Sequence, residues 1–460
     1  GGAGADSLTG GSGVDTITGG AGADTIDGGV GGDSLTGGTG ADNFAYAATT
    51  TNTASTSLKT DTIVDFVAGS DNIALTATLG TGVTVDFTDK GDAGSIADGL
   101  ALLSGVVGEY FFNTGTSQLA VDLDGNGLIQ STDLMVNMTG ATGFASSDMD
   151  MTVIATTGTN SITTGKGADT VTLVGGSDTV VLGDGDDNIT VTIGSNLTTA
   201  DVLTGGAGTD TITITNVASK TAVLDDLVTL ENIVIADGIA GADSALTITY
   251  TSANTDALSI DGTALDSGEV LTLDITDAEA NGVYTINLGN GADVVTLGTG
   301  GAHVITGGTT VDKFNMTPAQ ALLIGSIDGG TGLDHINLTG SSAVDFSAET
   351  VSNIGLVTGA ADGGADAHTF KQGFWQDGAV TLTLTSAADG HNDTMVLKAG
   401  TTAWDAAAEA NAAAVDVAGE WHLANVSSDG VITFYNQGES AVTTMTITGL
   451  DAGAIAISGD

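Results

Sequence analysis

Cysteine is absent from this 460-residue chain. That excludes disulfides and thiolate metal sites. In an extracellular setting stability would then come from another source, and a metal other than zinc is the first candidate. Arginine is absent as well. Seven lysines face 57 acidic residues, for a net charge of −50. Such a balance argues against nucleic acid or an anionic membrane surface as partner, and it opposes compaction unless cations sit inside the fold. Proline occurs once, at Pro318, and aromatic residues make up only 4%. A core of 41% hydrophobic residues with so few rings is thin and aliphatic, as in stacked strands. No apolar stretch is long enough to span a bilayer, and no basic N-region of a signal peptide is present. The chain opens at Gly1 in register with a repeat and without a methionine, which reads as the C-terminal piece of something longer.

What the sequence does have is glycine, 71 of them, set in a lattice. Residues 1–45 divide into GGAGADSLT, GGSGVDTIT, GGAGADTID, GGVGGDSLT and GGTGADNFA. Each unit reads G-G-x-G-x-D-x-U-x, with U filled by Leu8, Ile17, Ile26, Leu35 and Phe44. Glycine permits positive φ, so the turn's carbonyls can point inward beside the aspartate. The x-U-x triplet is a very short strand with one apolar side chain facing in. Two units make one coil of a flattened helix, so each unit stacks on the next but one. Strands stack at about 4.8 Å. Two bare carboxylates that close repel by roughly 3 kcal/mol at an effective dielectric near 20. A column of them needs a cation between layers. Oxygen-only ligands on a flexible turn select calcium over zinc or magnesium. A solvated acidic surface of the halophilic kind would scatter its acids, whereas these fall at a fixed period.

This nonapeptide resembles that of the RTX (repeat-in-toxin, hemolysin-type) family of secreted bacterial proteins. The resemblance implies an all-β fold, a parallel β-roll or β-solenoid, with calcium held by the motif's aspartate and turn carbonyls. It carries over to Asp6, Asp15, Asp24, Asp33 and Asp42. The segment that follows, TDTIVDFVAGSDNIAL (60–75), looks like the stretch that closes the roll in secreted RTX-type metalloproteases and lipases. SIADGLALLSG (95–105) places Ile96, Leu100 and Leu103 on one face of a short helix, and residues 108–140 read as a β-meander.

A second, weaker copy follows. The middle of the chain repeats nine-residue steps at Asp169, Asp178 and Asp187, with Asp210, Asp293, Asp312 and Asp334 in similar frames and His303 where an aspartate would fall. Near the C-terminus, Gly419-Glu420-Trp421 matches Gly108-Glu109-Tyr110, and an alanine-rich helical stretch (403–419) precedes it. The expected layout is therefore a β-roll at 1–46, a β-rich cap with a short helix at 47–155, a degenerate β-solenoid at 156–365 and a second β-rich cap at 366–460. An open roll leaves strand edges at its end, and solenoids need capping units.

Other motifs carry less. DLDGNGLIQSTD (122–133) sets Asp122, Asp124, Asn126 and Asp133 at EF-hand ligand positions, with strand-like flanks. It reads equally as a hairpin turn or an ion site. GDSL (32–35) resembles a lipase signature but lies inside a nonapeptide whose Asp33 is already assigned. Neither H-E-x-x-H nor G-x-S-x-G occurs, and the five histidines are dispersed. Trp375, Trp404 and Trp421 fall in the last 90 residues and read as the core of the C-terminal cap, or as a contact surface for carbohydrate or a neighbouring subunit.

The expected function is a calcium-dependent extracellular structural protein, not an enzyme, similar to RTX-type S-layer proteins exported by type I secretion. Its C-terminal LDAGAIAISGD would belong to the export signal. Its partners would be calcium, further copies of itself in a lattice or filament, and cell-surface polysaccharide reached through an N-terminal part. The alternatives are the secretion and folding tail of an exported protease or lipase, and the rigid stalk of an adhesin.

Overall fold

The computed structural model describes residues 1–49, most of 60–359, and beyond these the backbone of six strands between residues 367 and 448. The alanine-rich stretch 403–419, the three tryptophans, His391, His422 and the last ten residues lie outside the described residues. The chain divides into two compact units, the first formed by Gly1–Thr215 with Asp225–Asn232, the second by Asn216–Leu224 with Ile233–Asp460.

In the first unit each nonapeptide closes on a strand, and successive strands alternate between two parallel sheets. Ser7–Thr9 pairs with Thr25–Asp27, and that strand with Asn43–Thr49, placing Leu8, Ile26 and Phe44 in one inward column. Thr16–Ala21 pairs with Ser34–Thr39 on the other side, aligning Ile17 with Leu35. One coil is thus two nonapeptides, and the β-solenoid follows from the period. The first sheet continues through Asn72–Thr78, Met149–Ile154, Thr170–Leu173, Asn188–Thr192 and Thr211–Thr215, all parallel. Along it Ile73, Leu75, Val153, Val171, Ile189 and Ile212 are buried. Outward positions carry Thr, Asn and Ala, so the strands alternate with period 2.

The segment expected to end the array instead contributes rungs to it. Asn72–Thr78 and Met149–Ile154 pair over six residues, Ile73 with Met149 through Thr78 with Ile154. Between them the chain makes an excursion. Ile96–Leu100 is the expected helix, capped by the Ser95 hydroxyl, which accepts the Asp98 N–H at 3.2 Å. Ile96 and Leu103 pack on Phe111, Ala93 and Ala120. The meander follows as Tyr110–Asn113, Gln118–Val121 and Leu134–Met138, antiparallel to one another. Its last strand pairs in parallel with Asp61–Ile63, which itself stacks on Ser34–Thr39. The few aromatics concentrate underneath. Phe144 lies 5.8 Å from Phe66 and 6.2 Å from both Tyr110 and Phe112, ring centre to ring centre. Glu109, in the Gly-Glu-Tyr triplet, is buried and accepts from the N–H groups of Ser104, Gly105 and Val106, while Lys90 bridges it at 3.0 Å to Asp86 at 3.2 Å.

The second unit repeats the plan with looser spacing. Leu258–Asp261, Tyr284–Gly289, Val304–Gly308, Ser326–Gly330 and Thr350–Ser352 form one parallel sheet. Val270–Asp274, Val294–Thr296, Lys313–Met316, His335–Leu338 and Leu356–Gly359 form the other. Pro318 opens the one-turn helix Pro318–Ala321, where a missing N–H costs nothing, behind a Thr317–Gln320 capping box. The strands Leu423–Val426, Val431–Tyr435 and Val442–Thr448 are antiparallel, and the last runs parallel to Ala379–Leu384. This is the backbone plan of the first meander, where a third strand also joins the array in parallel.

Removing the ring at the centre of the aromatic cluster, Phe144→Ala, should destabilise the calcium-loaded chain by about 3 kcal/mol. Denaturant unfolding followed by tryptophan-independent far-UV circular dichroism checks it. An unchanged midpoint would show that the cluster does not hold the meander.

Candidate metal centre

The aspartates stand at the exit of each glycine turn, and the stack gives their two oxygens different tasks. One oxygen continues a ladder. Asp6 N–H donates to Asp24 Oδ1 at 2.8 Å, Asp24 N–H to Asp42 Oδ1 at 2.9 Å, and Asp15 N–H to Asp33 Oδ1 at 2.8 Å. The same bond joins Met151 to Asp169, Asp169 to Asp187 and Asp187 to Asp210, at 2.7–3.0 Å. In the second unit it joins Leu271 to Asp293, Asp293 to Asp312 and Asp312 to Asp334, at 2.7–2.9 Å. The structure therefore brings the sequence-chosen aspartates into columns, with Asp178 in its own column below Asn160.

The other oxygen of Asp6 accepts Gly2 N–H at 2.7 Å, but in ten of these aspartates it has no donor. Oδ2 of Asp15, Asp24, Asp33, Asp169, Asp178, Asp187, Asp210, Asp293, Asp312 and Asp334 is buried without a hydrogen bond. Burying such an acceptor costs several kcal/mol unless something positive meets it. Its neighbours are more acceptors. A Cβ built at Gly10 would lie 2.6 Å from the Gly28 carbonyl oxygen and 2.8 Å from Asp15 Oδ2. A Cβ at Gly307 would meet Asp312 Oδ2 at 2.5 Å beside the Gly329 carbonyl. The first glycine of the motif thus keeps clear a pocket walled by carboxylate and carbonyl oxygens. Farther along the turn, Gly20 and Gly22 take φ of 126° and 129°, so their backbones lie directly on the carbonyls of Gly2 and Gly4. Only glycine fits there. Hard oxygen donors without a proton among them suit a calcium ion, which would supply the charge that the stacked carboxylates lack.

Burial shows in their acidity. It pushes Asp169 and Asp312 up to about 8, and Asp187, Asp293 and Asp334 up to about 6, with neighbouring carboxylates adding to the rise for all but Asp293. The ladder N–H groups pull the other way and do not win.

Several ladder members lack the glycine run and escaped the sequence reading. Asp61 accepts from Asp33 N–H, Asp71 from Asp42 N–H, Asp201 from Asp178 N–H and Glu231 from Asp210 N–H, at 2.6–3.1 Å. TDTI, SDNI and ADVL keep the motif's D-x-U tail without its double glycine, and that tail was the available signal. His303 does occupy an aspartate's place. It is buried, its Nδ1 accepts Tyr284 N–H at 3.3 Å, and burial holds its ring down to about 4. His335 sits on a strand and pairs with the Thr358 hydroxyl at 2.7 Å.

The 122–133 loop is built differently. Ligand atoms of Asp122, Asp124 and Asp133 gather within 4.8 Å. Both oxygens of Asp122 accept N–H groups, from Gly125 and Gly127 at 2.7 Å, and both of Asp133 do so, from Leu123 at 2.9 Å and Gln130 at 2.7 Å. Asn126 turns its carbonyl to Leu128 N–H at 2.8 Å. The loop's own backbone thus satisfies these side chains, unlike the ladder aspartates.

Residues 1–153 match the family model of the peptidase M10 serralysin C-terminal domain, and residues 152–190 and 198–213 match that of the RTX calcium-binding nonapeptide repeat. The chain carries RTX calcium-binding repeats. Its repeats bind calcium, and the two matches together mark a type I secreted, extracellular chain. Neither matched element is catalytic. No curated protein and no solved structure matches the RTX chain.

The raised pKa values imply a pH dependence for the metal-free chain. A carboxyl whose folded value is raised stabilises the fold fully below its unfolded value, near 4, and loses that contribution as pH rises through the folded value. Between about pH 4 and 8, protons should therefore substitute for calcium. Circular dichroism of metal-stripped protein should show more β-structure at pH 5 than at pH 8. A flat or inverted profile would contradict the burial of these groups.

Proposed function

We propose that this protein is a self-assembling, S-layer-like component of a bacterial cell surface whose repeats fold when they meet calcium after export. The ladder aspartates Asp6, Asp15, Asp24, Asp33, Asp42, Asp169, Asp178, Asp187, Asp210, Asp293, Asp312 and Asp334 are its metal ligands, and the chain is not an enzyme. The observation that carries this reading is the extent of the array. Stacked coils with orphaned carboxylate oxygens run well past residue 153, where a protease tail of the serralysin kind stops matching. A repetitive array suits a building element, and fold alone does not assign a reaction.

Calcium sites of extracellular modules are tuned to roughly 10⁻⁴–10⁻³ M. At the low free calcium of a cytoplasm the columns repel and the chain stays open for passage through a narrow conduit. Outside, an ion that binds only the folded state adds stability by mass action. The second reading is the secretion and folding tail of an exported protease or lipase, favoured by the serralysin-type match over residues 1–153.

Electron microscopy separates them. Purified chain given millimolar calcium should form ordered sheets or tubes that disperse on adding chelator. A compact monomer that never assembles would overturn the lattice and leave the tail reading standing.

A further inference from the structure

One turn of the array has the wrong chemistry for a cation. In the motif's frame, Ala155-Thr156-Thr157-Gly158-Thr159-Asn160 occupies the place of G-G-x-G-x-D. Asn160 is as buried as the ladder aspartates, and its backbone keeps the ladder bond, donating N–H to Asp178 Oδ1 at 2.8 Å. Its side-chain oxygen also plays the ladder part, accepting Val83 N–H at 3.3 Å. The difference is the second atom. Where an aspartate would aim an unpartnered oxygen, Asn160 aims an NH₂ group. Nδ2 donates to the carbonyl oxygens of Thr156 at 3.0 Å and Gly158 at 3.2 Å, and to Asp178 Oδ1 at 3.1 Å. Three acceptors converge on one nitrogen. The amide orientation follows from the network, because the reversed side chain would set oxygen against all three acceptors and nitrogen against the Val83 N–H.

We infer that the Asn160 amide stands where a calcium ion would otherwise sit, so that the turn 156–160 closes without metal. The inference rests on the calcium reading of the neighbouring turns and goes beyond it, since it names a place in the array from which the ion is excluded. Two consequences are physical. The neutral amide removes one charge from the column that continues to Asp178 and Asp201. It also gives the repeats after residue 153 a first rung, Ser161–Lys166, whose turn is complete without an ion and which pairs with Thr84–Asp86 on one side and Thr179–Asp184 on the other. Asn160 thereby acts as a selectivity residue for ion occupancy.

Asn160→Asp should convert the turn into an ordinary one. The full-length variant should hold one calcium more per chain than wild type, counted by elemental analysis after gel filtration in calcium. Variant and wild type with equal counts and the same circular dichroism would overturn the inference. Should the variant not fold, the calcium-loaded wild-type structure decides. Ion density at neighbouring aspartate turns with none beside Asn160 supports it. An ion at about 2.4 Å from the Thr156 and Gly158 carbonyls overturns it. Wild type that bound no calcium at all would instead overturn the calcium reading of the whole array, a result distinct from a bound array whose count the substitution leaves unchanged.

Discussion

The fold depends on what happens to the second oxygen of a buried aspartate. The first is held by the backbone N–H of the preceding coil, a bond that recurs in every column at 2.6–3.1 Å. That bond sets the rise from coil to coil, so the carboxylates are brought into stacks by the same geometry that builds the sheets. The cost is a line of like charges at strand spacing, each with a lone pair facing carbonyl oxygens. Hydrogen bonding does not resolve this at the ten aspartates whose Oδ2 is buried without a donor. Protons or cations can. The same conflict, with burial as its largest part, pushes the pKa of Asp169 and Asp312 up to about 8. Cations lessen the self-repulsion that a net charge of −50 imposes on the compact chain.

Much of this was legible in the residues. The nine-residue period fixes the alternation between two sheets, and D-x-U fixes which side chain enters the core, as the columns Leu8–Ile26–Phe44 and Ile17–Leu35 demonstrate. The glycine positions told where backbones touch. What stayed hidden depends on contacts between distant segments. Asp61 and Asp201 have no glycine run, yet the parallel register still delivers their carboxylates to the ladder. The helix and meander between Thr78 and Met149 were legible, but their place as an excursion was not, since nothing local says that a chain leaving the stack will return to the next rung. His303 was legible as an aspartate's replacement by position, and its neutral ring explains how that rung tolerates it: one nitrogen serves as ladder acceptor without adding a charge.

The acidic loop at 122–133 shows why residue type alone misleads. Its carboxylates lie as close together as a metal site requires, but the loop folds its own N–H groups onto them. The ladder turns carry fewer acids per turn and a greater need for a cation. The deciding quantity is the number of donors left over after folding, and that number is set by backbone conformation. In the ladder turns glycine-run carbonyls face the carboxylate, whereas in the Asp-Gly-Asn-Gly loop Gly125 and Gly127, also at positive φ, turn their N–H groups toward it.

The same accounting explains how an array with open edges is controlled. On the side where Ser34–Thr39 meets Asp61–Ile63, Asp65 accepts the N–H groups of Gly37 and Gly38, both at 2.9 Å, so a side chain takes donors that a further glycine turn would otherwise have faced. The next strand on that side, Leu134–Met138, begins an antiparallel meander, and an antiparallel strand presents no turn on which a nonapeptide can stack. Growth stops on that side while the opposite sheet continues through Asn72–Thr78 and Met149–Ile154. The C-terminal meander joins its sheet in the same sense, one parallel contact followed by antiparallel strands. Termination in this chain is therefore a change of strand direction on one face, and a solenoid so terminated can resume on the other without a new nucleus.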